Sequence, residues 1–217
     1  MQPCPGGGFT VASLYMALTG LPSYFAGNGN AYFEGTTKSN LTSIADILSL
    51  CGYETYHLSN NASFAGTRNL LTALGVQHIL DGPLGEKYPE CPMSGAYDMD
   101  IFNEAKKIAV AKRDKPFMMY ISTTQTHGPD GYVDQRILDT LKNAGSTTLE
   151  TAAISTDWLI GDFLLFLEQY DLMDNTAVYI YPDHNFWGYK SLLDRTGNRK
   201  SLWLLTNTSD VFIDSVE

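Results

Sequence analysis

Basic side chains are scarce in this chain: 14 Lys and Arg stand against 24 Asp and Glu, for a net charge of -10 and a pI near 4.7. That balance excludes binding built on a nucleic-acid backbone, which needs a basic surface. An anionic substrate would need another source of positive charge, and a divalent cation would supply one, so any Asp/His constellation is worth weighing. Cysteine is equally thin. Cys4, Cys51 and Cys91 are too few and too scattered for a disulfide framework, and no C-x-x-C zinc spacing occurs. Cys4 and Cys91 both lie in Pro-containing segments that read as loops, where they could pair in an oxidising compartment. No run approaches the ~20 apolar residues of a membrane span, and no basic-then-apolar signal segment opens the chain. What is present is material for a core: 217 residues, 44% hydrophobic and 12% aromatic, enough for one α/β-sized domain over residues 1–217.

The order of elements carries the fold. Val11, Leu14, Tyr15 and Leu18 fall on one face of a helix that starts after Gly6-Gly7-Gly8 and ends near Gly20. Leu41, Ile44, Ala45 and Leu48 repeat that spacing, with Gly52 as the stop, and Tyr53 to Ser59 reads as a strand. A helix from about Gly66 to Leu74, closed by Gly75, leads to a short strand over Val76 to Leu80. Another helix, Asp98 to Lys112, precedes Pro116 to Ser122, a continuous apolar run of the kind found in strands covered on both faces of a parallel sheet. A long helix over Thr148 to Tyr170 and strands over Thr176 to Tyr181 and Ser201 to Leu205 follow. The alternation predicts an open, mostly parallel α/β sheet with helices on both faces.

Ligands of such sheets bind beyond the carboxyl ends of the strands. Those ends read Thr123-Thr-Gln-Thr-His127-Gly-Pro129 and Pro182-Asp183-His184-Asn185, and the Gly-rich lead places Thr10 at a helix N-terminus, where free N–H groups favour an anion. Each candidate reads two ways. Thr10 is either an N-cap or a hydroxyl nucleophile, and the second role needs a metal or base close by. Asp183 and His184 form either an ordinary turn or a pair of metal ligands, an O/N set suited to Mn2+ or Zn2+ and less to Mg2+. His127 is either an exposed turn histidine or a group that hydrogen-bonds or protonates a phosphoester oxygen. Arg68 could contact a phosphate or simply be an exposed helix arginine. Tyr179, Tyr181, Phe186, Trp187 and Tyr189 divide between core and site wall, while His57 and His78 read as structural.

Taken together, Gly-Gly-Phe-Thr10-Val-Ala-Ser, Phe64-Ala-Gly66, Thr126-His127-Gly-Pro-Asp-Gly131 and Tyr181-Pro-Asp183-His184 resemble, in order and spacing, the phosphoglycerol transferases of the alkaline phosphatase and sulfatase superfamily. Phosphoglycerol transferase I is the nearer look and lipoteichoic acid synthase the more distant one. The resemblance covers nearly the whole chain. It implies a ping-pong reaction in which a metal-activated Thr10 attacks phosphatidylglycerol, releases diacylglycerol and passes the glycerophosphoryl group to a glycan or polyol hydroxyl. By the same carry-over Thr10, Asp183 and His184 hold a Mn2+-like ion and His127 contacts the head group; Arg68 and Trp187 stand beside it as substrate-binding candidates read from the residues themselves. It also implies an extracytoplasmic, membrane-anchored enzyme, in the periplasm or on the outer face of the cell membrane.

The chain departs from the family in several places. The family draws a further metal-binding acid from a strand ahead of the nucleophile helix, where only Met1 to Pro5 stand here, and it continues beyond Glu217. Its membrane-anchoring N-terminal helices are likewise not in these residues, so the sequence reads as an incomplete piece of a single catalytic domain. Asp-His-Asn replaces Asp-His-Gly at 183–185, and the His-Gly and aromatic-Arg features of lipoteichoic acid synthases are not matched at Leu58 to Arg68. The Cys/Ser-x-Pro-x-Arg segment of sulfatases is also missing, since Val-Ala-Ser-Leu follows Thr10. Phosphoethanolamine transfer, phosphodiester or sulfate ester hydrolysis, and a degenerate domain that binds a glycan or lipid head group without turnover are the alternatives.

Overall fold

The computed structural model describes residues 8–23, 40–81, 95–184 and 204–208. The first element, α1 (Thr10–Thr19), buries Val11, Leu14, Tyr15 and Leu18 as their spacing predicts. Gly20 ends it in the left-handed conformation, its N–H donating to the Met16 carbonyl. Helix α2 (Ile44–Leu50) is set by a capping box: Ser43 Oγ accepts from the Asp46 N–H, and the Asp46 carboxylate accepts from the Ser43 N–H. That start moves the expected face. Ala45 is buried, but Leu41 precedes the helix and it and Ile44 are exposed.

Three parallel strands, β1 (Glu54–Leu58), β2 (His78–Leu80) and β3 (Phe117–Ile121), form a sheet in the order β2-β1-β3. The register sets His57 beside Ile79 on one neighbour and Tyr120 on the other. Parallel pairing needs crossovers. Helix α3 (Thr67–Ala73) supplies the one from β1 to β2, and α4 (Asp98–Ala111) the one from β2 to β3. After β3 come the single turn α5 (Gln135–Leu138) and the long α6 (Thr148–Gln169), which Thr147 caps by accepting from the Glu150 N–H.

Alternation along the strands sorts two cores. On one face Met118 and Tyr120 pack with Val11, Leu14 and Leu18 of α1, Ala45 of α2, and Leu70 and Leu71 of α3. On the other, Tyr56, Leu58, Phe117 and Met119 meet Ile101 and Ala105 of α4 and Phe163 of α6. Phe102, Ile137 and Leu159 extend this second layer. The architecture is an open α/β sheet with helices on both faces, as the element order predicts.

The apolar run of β3 is covered on both faces, as expected, with every residue from Phe117 to Ile121 half-buried; among the described residues it has its ladder partner, β1, on one side alone. One strand expectation is corrected. The strand expected over 176–181 shortens to β4 (Tyr179–Ile180), which pairs antiparallel with β5 (Leu205–Thr206). Residues 201–203 of the other expected strand lie outside the described residues. Asn207 continues the contact through its side chain, accepting from the Val178 N–H and donating to the Thr176 carbonyl.

Cys51 is a free, exposed thiol, and Cys4 and Cys91, whose pairing the sequence leaves open, lie outside the described residues. No helix among the described residues is long and apolar enough to cross a membrane.

Candidate active site

Thr10 is the first residue of α1, not its cap. Phe9 occupies the N-cap with extended backbone and no side-chain capping bond, which leaves the Thr10 hydroxyl for another partner. That partner comes from the far end of the described chain: Thr10 Oγ1 lies 3.5 Å from His184 Nε2. His184 is in turn fixed to its neighbour, with its N–H donating to Asp183 Oδ1 at 2.9 Å and its Nε2 3.4 Å from Asp183 Oδ2. A second tie holds the segments together, the Ser13 hydroxyl, one turn into α1, donating to the Asp183 carbonyl. Thr10 and Ser13 thus lock the start of α1 against the segment that follows β4.

The donor set can be tested against a metal. One hydroxyl, one imidazole and one carboxylate meet at His184 Nε2 with separations of 3.5 and 3.4 Å. Ligands bound at about 2.1 Å in tetrahedral array stand about 3.4 Å apart, so the two separations from His184 Nε2 match that spacing. The Asp183 side chain keeps 44% of its surface exposed, against 19% for His184, so the carboxylate is open to an incoming cation. No group of three or more His, Cys, Asp or Glu clusters among the described residues, so Asp183 and His184 supply the charged part of the set unaided there.

Behind the site runs a buried polar chain that the sequence reading did not connect. The Tyr181 hydroxyl donates to Tyr120 Oη at 3.0 Å. Burial, then the neighbouring Tyr181 and Asp183, hold the Tyr120 phenol well above its ordinary range. Tyr120 stacks on His57 with ring centroids 5.7 Å apart, and His57 Nε2 meets Ser122 Oγ at 3.1 Å. Burial pulls His57 down to about 4, so it is neutral at pH 7, and its Nδ1 has no hydrogen-bond partner. His57 is structural, as expected, and so is His78, which stacks on Tyr56 and lies 3.7 Å from the Glu54 carboxylate.

His127 lies in the loop after β3, beyond the carboxyl end of that strand. Its ring Nδ1 lies 2.7 Å from the Gly128 carbonyl, which can only accept, so Nδ1 is the donor of that bond and Nε2 points away from it. The loop closes on itself: His127 N–H to Thr124 O, Gly131 N–H to His127 O, and Tyr132 N–H to Gln125 O. His127 is exposed, and no contact joins it to Thr10. Arg68 is half-exposed and paired with Asp81, whose other oxygen accepts from the Ala62 N–H at 2.8 Å. Its guanidinium is thus turned to Asp81. Trp187 lies outside the described residues.

Fold and site together define a class: an open α/β sheet with a helix-start hydroxyl facing an Asp-His pair that follows a strand. Solved structures share the fold. The lipoteichoic acid synthase LtaP from Listeria monocytogenes superposes with a TM-score of 0.69 at 19% identity, over 90% of this chain and 48% of that one. A protein in the alkaline phosphatase superfamily from Vibrio parahaemolyticus does so with a TM-score of 0.66 at 19% identity, over 96% of this chain and 51% of that one. A family model described as Sulfatase matches residues 5–202, and the chain belongs to that family. Among curated relatives, phosphoglycerol transferase I of Salmonella typhi is 25% identical over 211 residues, covering 88% of this chain and 27% of the relative. The same enzyme of Salmonella arizonae is 29% identical over 140 residues, covering 60% of this chain and 18% of the relative. The chain therefore spans about a quarter or less of the curated relatives it matches.

Proposed function

We propose that this chain is a catalytic portion of a metal-dependent phosphoglycerol transferase, moving the head group of phosphatidylglycerol to a glycan or polyol hydroxyl by way of Thr10. The observation that carries the reading is the 3.5 Å approach of Thr10 Oγ1 to His184 Nε2 across 174 residues of sequence. The similarity to phosphoglycerol transferase I supports it.

Thr10, Asp183 and His184 would hold a Mn2+-like ion, with Zn2+ or Mg2+ as substitutes. When bound, such an ion serves as a Lewis acid on the phosphoryl oxygens and lowers the pKa of the Thr10 hydroxyl. The dipole of α1, whose first residue is Thr10, favours the phosphate beside that hydroxyl. Thr10 Oγ1 forms a bond to phosphorus, the bond from phosphorus to the diacylglycerol oxygen breaks, and the proton lost by Thr10 ends on that oxygen. In the second half an acceptor hydroxyl attacks the same phosphorus, and the Thr10 hydroxyl is restored. His127, with Nδ1 bound to Gly128, offers Nε2 to a substrate hydroxyl or to the proton in transit. Arg68 reaches a phosphate by exchanging its Asp81 partner, and Trp187 would wall the head group. The reading places the domain outside the cytoplasm, at the membrane face where its lipid donor lies, with anchoring segments beyond these 217 residues.

Diacylglycerol release from phosphatidylglycerol vesicles with Mn2+ tests this. Release that needs Mn2+ and disappears in Thr10→Ala supports the reading; release unchanged by that substitution overturns it. Phosphatidylethanolamine vesicles form a second arm, since transfer of that head group to an acceptor, or its hydrolysis to a phosphomonoester and diacylglycerol, would use the same Thr10; sulfate ester hydrolysis would instead release inorganic sulfate from a sulfated glycan. One observation favours a binding-only domain: no further acidic or imidazole group joins Asp183 and His184 among the described residues. That reading predicts head-group binding with no release from either lipid.

A further inference from the structure

Asp98 is fully buried at the first position of α4, beside neither Thr10 nor His184, and the reaction described above does not use it. Its carboxylate accepts from four donors. The Thr124 N–H reaches Oδ1 at 2.9 Å and the Gln125 N–H reaches Oδ2 at 3.2 Å, with the Thr124 and Thr156 hydroxyls at 3.4 and 3.5 Å. The two backbone donors open the loop that carries His127. Gln125, itself fully buried, returns the contact by accepting from the Asp98 N–H at 3.1 Å and bonding the Tyr132 carbonyl and Ser155 hydroxyl. The Tyr132 hydroxyl closes the far side, 2.7 Å from Thr124 Oγ1. Just beyond, Arg136 grips both Asp134 and Asp100 and lies over the Tyr97 ring.

We propose that Asp98 is a positioning residue for His127: its carboxylate, seated at the start of α4, fixes Thr124 and Gln125, through which Tyr132 closes the far end of the 124–132 loop, and so the place of the imidazole. The inference rests on the role given to His127 above. A buried carboxylate is costly without a compensating set of donors. Burial here pushes Asp98 up to about 6 even against these bonds, so at pH 7 the carboxylate is ionised and every donor has its acceptor. A loop stitched only to itself could shift as a body. Bonds from its first residues to a helix that packs on both β3 and α6 remove that freedom. A displacement of about 1 Å costs up to ~100-fold in rate, which is the scale on which such an anchor matters.

The test is a double-mutant cycle on lipid turnover, Asp98→Asn with His127→Ala, read at a temperature where all variants are folded. Asp98→Asn turns one acceptor oxygen into a donor facing the loop N–H groups. It should lower kcat at least about tenfold with little change in KM. It should add no loss when His127 is already Ala, whereas a merely structural role would cost the same in both backgrounds. Amide hydrogen exchange provides an activity-independent reading, with Thr124 to Tyr132 expected to exchange faster in Asp98→Asn while α4 stays protected. Should Asp98→Asn fail to fold, Tyr132→Phe removes the 2.7 Å strap to Thr124 and should show the same non-additivity in weaker form. Equal losses in both backgrounds, or unchanged exchange in the loop, overturn the proposal while leaving His127 its role. Full turnover in His127→Ala overturns that role and the positioning inference with it.

Discussion

His57 shows how a single side chain couples to the whole molecule. It is 1% exposed on the central strand of the three-stranded sheet, and burial holds it near pKa 4 against an ordinary 6.5. Because the folded value is depressed, the unfolded chain takes up the proton first as pH falls. The stability this group contributes is whole above pH 6.5 and lost as pH drops toward 4, by up to about 3 kcal/mol. Asp98 runs the opposite way. Its folded value of about 6 lies above the ordinary 3.8, so its contribution is whole below 3.8 and lost as pH rises through 6. The two partly cancel in the native protein, and a difference measurement separates them. Urea denaturation at pH 7, 5.5 and 4 should show His57→Gln gaining on wild type steadily as pH falls. Parallel curves for the two proteins would show that His57 is not the neutral, buried group described. This chemistry was not legible in sequence: a histidine in a strand shows nothing of which strands flank it, and Tyr120 lies 63 residues away. The proximity of Thr10 to His184 joins segments that the sequence offered only as separate candidates, one at the start of α1 and one after β4.

Elements were legible where a start or stop signal coincided with the apolar period. Gly20, Gly52 and Gly75 mark ends that the structure keeps, each with positive φ. The face of α2 was misjudged because Leu41 and Ile44 share the period of Ala45 while lying before or at the start of the helix. Ser43, the actual determinant, carries more than a cap, since its hydroxyl also donates to the Leu74 carbonyl at the end of α3 at 2.6 Å. Ser43→Ala should cost about 1–2 kcal/mol, seen as a lower denaturation midpoint with an unchanged slope. The loop carrying His127 has a comparable pivot. Gly131 adopts φ +64, and a Cβ there would stand 2.8 Å from the Gln125 carbonyl oxygen. Gly131→Ala is expected to lower lipid turnover more than it lowers melting temperature, because the strain falls on the loop and not on the core. An equal loss in both would mean that the loop is part of the global folding unit. The Asp98–Gln125 contact that supports this loop was invisible in the sequence, where a helix-start Asp and a loop Gln 27 residues apart both look ordinary.

At the scale of the molecule, the open α/β architecture follows from alternation, and with it the rim on which the site forms. The site itself is a junction: α1 and the segment after β4 meet through Thr10 with His184 and Ser13 with Asp183. A cation held there would tie distant parts of the chain and stabilise the fold by mass action, about 2.7 kcal/mol at 100 times the dissociation constant. Mn2+ should therefore raise the melting temperature of the wild type and not that of Asp183→Ala; equal shifts in both would place the ion elsewhere. The most direct measurement is intact-mass and tandem mass spectrometry after incubation with phosphatidylglycerol and Mn2+. The account predicts one glycerophosphoryl group, on the peptide that begins α1 and on Thr10 within it, absent from Thr10→Ala. An adduct on Ser13, or one that persists in Thr10→Ala, would contradict it.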